Sequence, residues 1–424
     1  MIEVLSKIFS KLDLSWIDSI QNIDDSDEFF KILTIFPNLK PIFQECNVKD
    51  EGEFKRTLRH IFRLFKVYFL TRKGDYFHDS LSKKSIEIIR EKLLNQNSQN
   101  ELIIPIILIY HDIGRCIDKN DHPYHSFQLI SRKNLLEPFL LSSSEKLLIK
   151  LLIKYHLLFA KIYTGESTFF GIYPLLKDPE FIELISNENF INRFVDLLEI
   201  FTYIDILGYS YAKIYDHYIK YYNEINSKLK NILNCLPDKK SALIRAKVYS
   251  HEWLEWRLAG ALRIFQFVET KPFLTQKFYY KKLRESIKTK ESKFMSTLTW
   301  ELIIKNYLTQ SYKIQLNYSL AFLMILAFKD FQRMGLKINS GISYKLILFW
   351  TLLCKEIDSR SEIDEESPWN VFFEGMPHWS KIDISVINML NDQTIEIIIH
   401  NSKQKYDKGK EEHNLYLDFN QVFK

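Results

Sequence analysis

Residues 102–116, LIIPIILIYHDIGRC, decide how the rest of this chain is read. An unbroken apolar stretch over 102–110 runs into His111 and Asp112 and stops at Gly114. Apolar on every side, it predicts a buried helix over about 101–113. Pro105 is tolerable near its first turn, and Gly114 is a natural stop. His111 and Asp112 then stand on the last turn of a rigid, buried element. An imidazole and a carboxylate are costly to bury without partners. Together they suit a divalent metal.

The bulk numbers bound the answer. A chain of 424 residues is too long for one small core, so about two or three domains are expected. Apolar residues make up 46%, which predicts a globular protein. Gly and Pro, 11 each, are too scarce for a turn-rich β protein, and long apolar-periodic segments point to helix. A formal charge of +5 is mild at this length and does not favour nucleic acid as a partner. Cys46, Cys116, Cys235 and Cys354 form no Cys-x-x-Cys pair, which argues against a cysteine zinc site and fits a reducing compartment. The start, MIEVLSK, does not read as a signal peptide. The apolar runs near 102–110, 319–327 and 345–354 are about half a bilayer span, so they read as buried helices. A soluble cytoplasmic protein with no membrane partner is the expectation.

Working outward, residues 1–50 read as short helices broken at Pro37 and Pro41. FKRTLRHIFRLFKVYFL (54–70) is an amphipathic helix containing His60. A helix over 83–95 follows a polar loop. RCIDKNDHP (115–123) is a loop, with helices expected at about 124–134 and 144–161; Ser142, Ser143 and Ser144 are candidate N-caps for the latter. A long helix over 189–230 should break near Gly208. Further helices are expected at 240–268, 294–310, 314–334 and 342–357. TIEIIIH (394–400) and NLYLDF (414–419) would pair as a terminal hairpin. The segments 1–50, 51–215 and 216–424 are the expected divisions.

The order His60, His111-Asp112, His125, His156, Asp205 resembles the HD superfamily of metal-dependent phosphohydrolases, whose two-metal members carry H…HD…H…H…D. HDIGR is similar to the family's HDIGK. HSFQLI has the His-Ser start of the following helix. LLIKYHLLFA is similar to the segment around the fourth histidine, above all in the uridylyl-removing domain of the nitrogen-regulatory enzyme. LLEIFTYIDILGYS places the terminal aspartate in an apolar helix. The resemblance covers residues 54–215. It implies an all-α, HD-type helical bundle, with 216–424 as an added helical region.

The resemblance further implies two divalent metal ions. Asp112 would bridge them, with His60, His111 and Asp205 on one and His125 and His156 on the other. It implies hydrolysis of a small phosphorylated substrate, nucleotide-derived by preference, through attack of a metal-bound hydroxide. Manganese, iron, cobalt, nickel and zinc are not distinguished. Asp112, Arg115 and Lys119 are the candidate catalytic residues. Arg115 stands where the family has lysine and would hold a phosphate oxygen. Asp118 is a weaker candidate for proton transfer.

Bland readings stand beside these. A buried histidine can serve a carbonyl, and Arg115 a surface ion pair. His122 competes with His125; His125 is preferred because Ser126 follows it, whereas His122 precedes Pro123. His78, in polar surroundings, competes with His60. The basic run 271–293 reads as a solvated helix face, and Trp253, Trp256 and Phe265 as core. Two rival functions remain: a di-iron oxygenase on the same fold, and a non-catalytic module binding nucleotide or a partner.

Overall fold

The computed structural model describes residues 1–187, 189–209, 214–258, 260, 281, 284, 285, 301–303, 308–327, 343–361, 366–376 and 388–423. Helix dominates, and the chain divides into two compact units. One comprises Met1–Phe159 and Lys177–Pro237, the other Ala160–Leu176 and Asp238–Lys424.

In the first unit, α1 (Ile2–Ser10), α2 (Leu14–Ser19) and α4 (Leu39–Lys49) pack on the long α5 (Glu51–Lys73), with α3 (Asp27–Ile35) between α2 and α4 in sequence. Phe9 of α1 sits against Phe62 and Phe65 of α5. The Asp50 side chain caps α5 by accepting from Glu53 N at 2.9 Å, and Gly74 at φ +86° closes it in the left-handed region. Then come α6 (Lys83–Leu94), α7 (Ser98–Tyr110), α8 (His122–Arg132) and α9 (Ser143–Lys154). α10 (Leu158–Thr164) and α11 (Tyr173–Lys177) straddle the boundaries between the units. α12 (Pro179–Leu184), α13 (Phe190–Leu207) and α14 (Asp216–Leu233) complete the first.

Helices α7 and α13 touch each other and both α5 and α9, and these four form its core. α7 and α13 bury nearly every apolar side chain, as helices surrounded by others must. α14, placed by the sequence reading with the C-terminal region, packs on α13, where Tyr222 meets Tyr203 and Asn226 donates to Glu199.

Local departures have physical causes. α7 starts at Ser98, because the Asn97 side chain accepts from Asn100 N and caps a polar first turn; Pro105 is therefore inside the helix, not near its start. The segment expected as one helix over 144–161 breaks at Tyr155, leaving His156 in a turn. Its start has the expected cap: Ser142 and Glu145 form a reciprocal capping box. The break near Gly208 separates α13 from α14.

Cys46 of α4 and Cys116 form a disulfide across 70 residues of sequence, with their Cα atoms 5.4 Å apart. Spacing alone gave no sign of it, and cysteine usage therefore does not carry the expected reducing compartment.

The second unit holds α15 (Lys239–Glu252), α16 (Leu254–Leu258), α17 (Leu320–Ala327), α18 (Lys345–Arg360) and α19 (Asp392–His400). It also holds strands β1 (Ile314–Leu316), β2 (Trp369–Glu374), β3 (Lys403–Asp407) and β4 (Glu412–Asp418). The sheet order is β1-β2-β4-β3, with β1–β2 and β2–β4 parallel and β3–β4 antiparallel. Trp350 and Leu353 of α18 share a core with Trp369, Val371, Leu415 and Leu417 of the sheet. Trp253 and Trp256 are buried, as expected.

The terminal hairpin is real but shifted: β4 pairs with 403–407, while 394–400 is helical. Asn391 caps α19, and its buried residues Ile395, Ile398 and Ile399 fall on one helical face. Ile314–Leu316, expected as helix, is strand β1. Phe265 and nearly all of the basic run 271–293 lie outside the described residues. Among the described residues no helix is long and apolar enough to cross a membrane.

Candidate metal centre

Six side chains from separate segments of the first unit converge as two buried triads. His60, His111 and Asp205 form one; Asp112, His122 and His156 form the other. α5 supplies His60 and α13 supplies Asp205. His111 and Asp112 directly follow α7, ahead of a 3-10 turn at Ile113–Cys116. His122 opens α8, and His156 lies in the turn after α9. All six are at least nine-tenths buried.

Three rings are fixed in one tautomer by the same device. Nδ1 of His111 lies 3.1 Å from Leu108 O, that of His122 3.1 Å from Lys119 O, and that of His156 2.7 Å from Ile153 O. A carbonyl only accepts, so each Nδ1 carries the proton and donates it. Nε2 of each ring is left to face the cluster. This is how metal-binding histidines are oriented by their second nitrogen.

The facing atoms then crowd one another. His122 Nε2 is 3.3 Å from His156 Nε2 and 3.0 Å from Asp112 Oδ1. Nitrogen lone pairs and a carboxylate oxygen this close repel unless a cation, a proton or a metal ion, lies among them. In the other triad His60 Nε2 meets Asp205 Oδ1 at 2.9 Å, and His111 Nε2 stands 3.6 Å from Asp205 Oδ1. His111 Nε2 is buried with no hydrogen-bond partner among the described residues. Ligand atoms about 2.1 Å from a metal lie roughly 3.0–3.4 Å from each other in octahedral or tetrahedral sites. These four spacings, 2.9–3.6 Å, fall near that range, and every ligand atom of a triad lies within 4.8 Å of the others, so the donor set fits a divalent ion in each. Asp112 Oδ1 also lies 3.6 Å from His111 Nε2, which puts this carboxylate against both triads.

Electrostatics agree with a site built for positive charge. Burial, then the neighbouring rings of His122 and His111, push the His156 imidazole down to about 3. Burial likewise lowers His111. Burial would raise the Asp112 carboxyl, but His111, His122 and Arg115 outweigh it and hold Asp112 well below the usual range. Phe201 of α13 closes the apolar side, its ring 5.1 Å from that of His111 and 5.5 Å from that of His156. Tyr209 stacks on His60 with ring centres 4.2 Å apart.

His125, preferred by the sequence reading, is in neither triad; His122 takes the place. Pro123 occupies the first turn of α8, where proline is accepted, so the helix starts at His122 and not after it. The buried face of α8 then runs His122, Ser126, Ile130, each four residues apart, and His125 is turned off it. That periodicity was available in the sequence. Ser126 explains the His-Ser string differently: its Oγ accepts from Gly114 N at 2.8 Å and donates to His111 O at 2.6 Å. His78 lies outside both triads, and its Nδ1 accepts from Ser80 N.

Arg115 is half-buried beside Asp112, with Nε 3.8 Å from Asp112 Oδ2. Its closest partner is Glu53 of α5, at 2.7 Å, a residue the sequence reading did not single out. An acidic residue in a first helical turn looks like ordinary dipole compensation. Lys119 is exposed and reaches Asp50 and Glu53, each at 3.2 Å. Asp118 is exposed and accepts from Asn120 N.

No family model matches the chain, and neither a curated protein nor a solved structure is found similar to it.

Proposed function

We propose that this chain is a metal-dependent phosphohydrolase of the HD type, acting on a phosphate ester or phosphodiester that is nucleotide-derived. The observation that carries this reading is the approach of His122, His156 and Asp112 through atoms that need a cation among them. The companion triad one residue away in sequence, at His111, supports a second ion. The order of these residues along the chain supports the family, and the family supports the substrate class.

Two divalent ions would supply an activated water and polarise the phosphoryl oxygens. His60, His111 and Asp205 would hold one, His122 and His156 the other, with Asp112 shared. The chain's own residues do the rest. The carbonyls of Leu108, Lys119 and Ile153 keep three imidazoles aimed inward. Phe201 excludes water from one side of the rings. Arg115, charged and beside Asp112, binds a phosphoryl oxygen and stabilises the charge that builds there.

Elemental analysis of purified protein, with a hydrolysis screen over nucleotides, cyclic dinucleotides and generic phosphoesters, tests the reading. Bound metal and ester cleavage are expected, and Asp112→Ala should lose both. Undiminished turnover in Asp112→Ala would end the proposal. Arg115→Ala should keep its metal and lose about ten- to a hundredfold in turnover, the worth of a hydrogen bond to a charged group.

A further inference from the structure

Arg115 is gripped by one edge. Its Nε donates to Glu53 Oε1 at 2.7 Å, while among the described residues neither Nη nitrogen has a hydrogen-bond partner. The side chain is 12% exposed. A guanidinium donates through five N–H groups in a rigid plane. Fixing Nε fixes the direction of the four that remain.

Glu53 is suited to this grip. Its backbone N–H is tied to the Asp50 cap at the start of α5, and its side chain is 5% exposed. Oε1 also accepts from Arg56 Nη1 at 2.9 Å, and Oε2 faces Lys119 Nζ at 3.2 Å. Burial works to raise the Glu53 carboxyl, but Arg115, Arg56 and Lys119 keep it ionised. Three cations (Arg56, Arg115, Lys119) stand against three carboxylates (Asp50, Glu53, Asp112), so the cluster is balanced in charge. An ion pair formed only for stability would spend the Nη groups too.

Resting on the phosphohydrolase reading, we propose that Glu53 is the positioning residue for Arg115, holding the guanidinium so that its two Nη groups receive a phosphoryl group beside Asp112. Glu53 itself touches no substrate. It acts through Arg115, and the class of ligand it prepares for is an oxyanion bound in two-pronged fashion.

Calorimetric titration of the manganese-loaded full chain with inorganic phosphate tests this. Arg115→Ala is expected to weaken phosphate about tenfold or more, and Glu53→Ala by a similar factor. The double variant should bind no more weakly than Arg115→Ala alone, because Glu53 has nothing left to position. Glu53→Gln, which still accepts from Nε, should recover most of the affinity. Glu53→Asp, one methylene short, should fall between. Metal content should stay the same throughout.

Three results would overturn the proposal: unchanged or tighter phosphate binding in Glu53→Ala, an equal loss from Glu53→Ala whether or not Arg115 is present, or no phosphate binding by the wild type. If Glu53→Ala does not fold, Glu53→Asp decides, and wild-type affinity there refutes the role. The predicted pattern in a protein that cleaves no phosphoester would remove the hydrolase reading and leave the Glu53–Arg115 relationship standing.

Discussion

The carbonyl oxygen of His122 lies 2.5 Å from the point where a side-chain carbon on Gly114 would stand, and the amide nitrogen of Ser126 is closer still. Both are backbone atoms, which cannot swing aside. The turn that carries Asp112 is thus pressed against the first turn of α8, which carries His122. Ser126 Oγ locks the contact by bridging Gly114 N and His111 O. The 3.0 Å approach of His122 Nε2 to Asp112 depends on that contact.

Gly114→Ala should therefore damage the metal centre without touching a ligand. The added methyl forces the turn and α8 apart, at about 1–3 kcal/mol, the usual range for overpacking. Thermal melts should fall, and bound metal should fall with them. A variant that melts as the wild type does and retains its full metal would show that the contact is looser than described.

If each triad holds one ion, as proposed, His122→Ala should lower bound metal from about two ions per chain toward about one, since it removes a ligand from one triad and leaves the other whole. His125→Ala should leave the content unchanged. Elemental analysis of both variants settles it, and the reverse pattern would restore His125 as the ligand.

Much of the candidate site's convergence was legible because burial and chemistry coincide in sequence. His60, His111, Asp112, His156 and Asp205 each interrupt an apolar helical pattern, and a polar group placed there needs a reason. His122 was misjudged because a proline after it looks like a loop, although Pro123 sits comfortably at a helix start. Glu53 was illegible: its partner Arg115 is 62 residues away, and nothing local marks the pairing. TIEIIIH misled because β-branched residues favour strands in general, while one asparagine cap and three isoleucines on a single face decided for helix here. Long apolar helices announce themselves. Close approaches between distant segments do not.

Cys46 and Cys116 should resist alkylation under denaturing, non-reducing conditions, whereas Cys235 and Cys354 label. After reduction all four should label. Because the crosslink closes a long loop joining α4 to the turn beside Arg115, its reduction should also cost about 2–4 kcal/mol of stability. Mass spectrometry of the alkylated chain gives the count, and four labelled cysteines before reduction would mean the two sulfurs are free thiols in solution.

The metal-free protein should lose stability as pH falls through a window that the histidines define. His156, near 6.5 when unfolded, is pushed down to about 3 in the fold by burial and then by His122 and His111. Above pH 6.5 neither state holds this proton. Below it the unfolded chain takes up a proton that the folded chain refuses until about pH 3, so acid favours unfolding across that span. One such group has a limiting slope of about 1.4 kcal/mol per pH unit. His111, depressed chiefly by the same burial, steepens it. Asp112 and Asp205, held below their ordinary 3.8, contribute stability that is lost only at lower pH, so an onset near 6.5 belongs to the imidazoles. Urea unfolding in the presence of a chelator, at steps from pH 7.5 to 4.5, measures the slope. His156→Gln should flatten it, and a wild-type profile already flat over that range would mean that His156 is protonated, or exposed, in the folded protein.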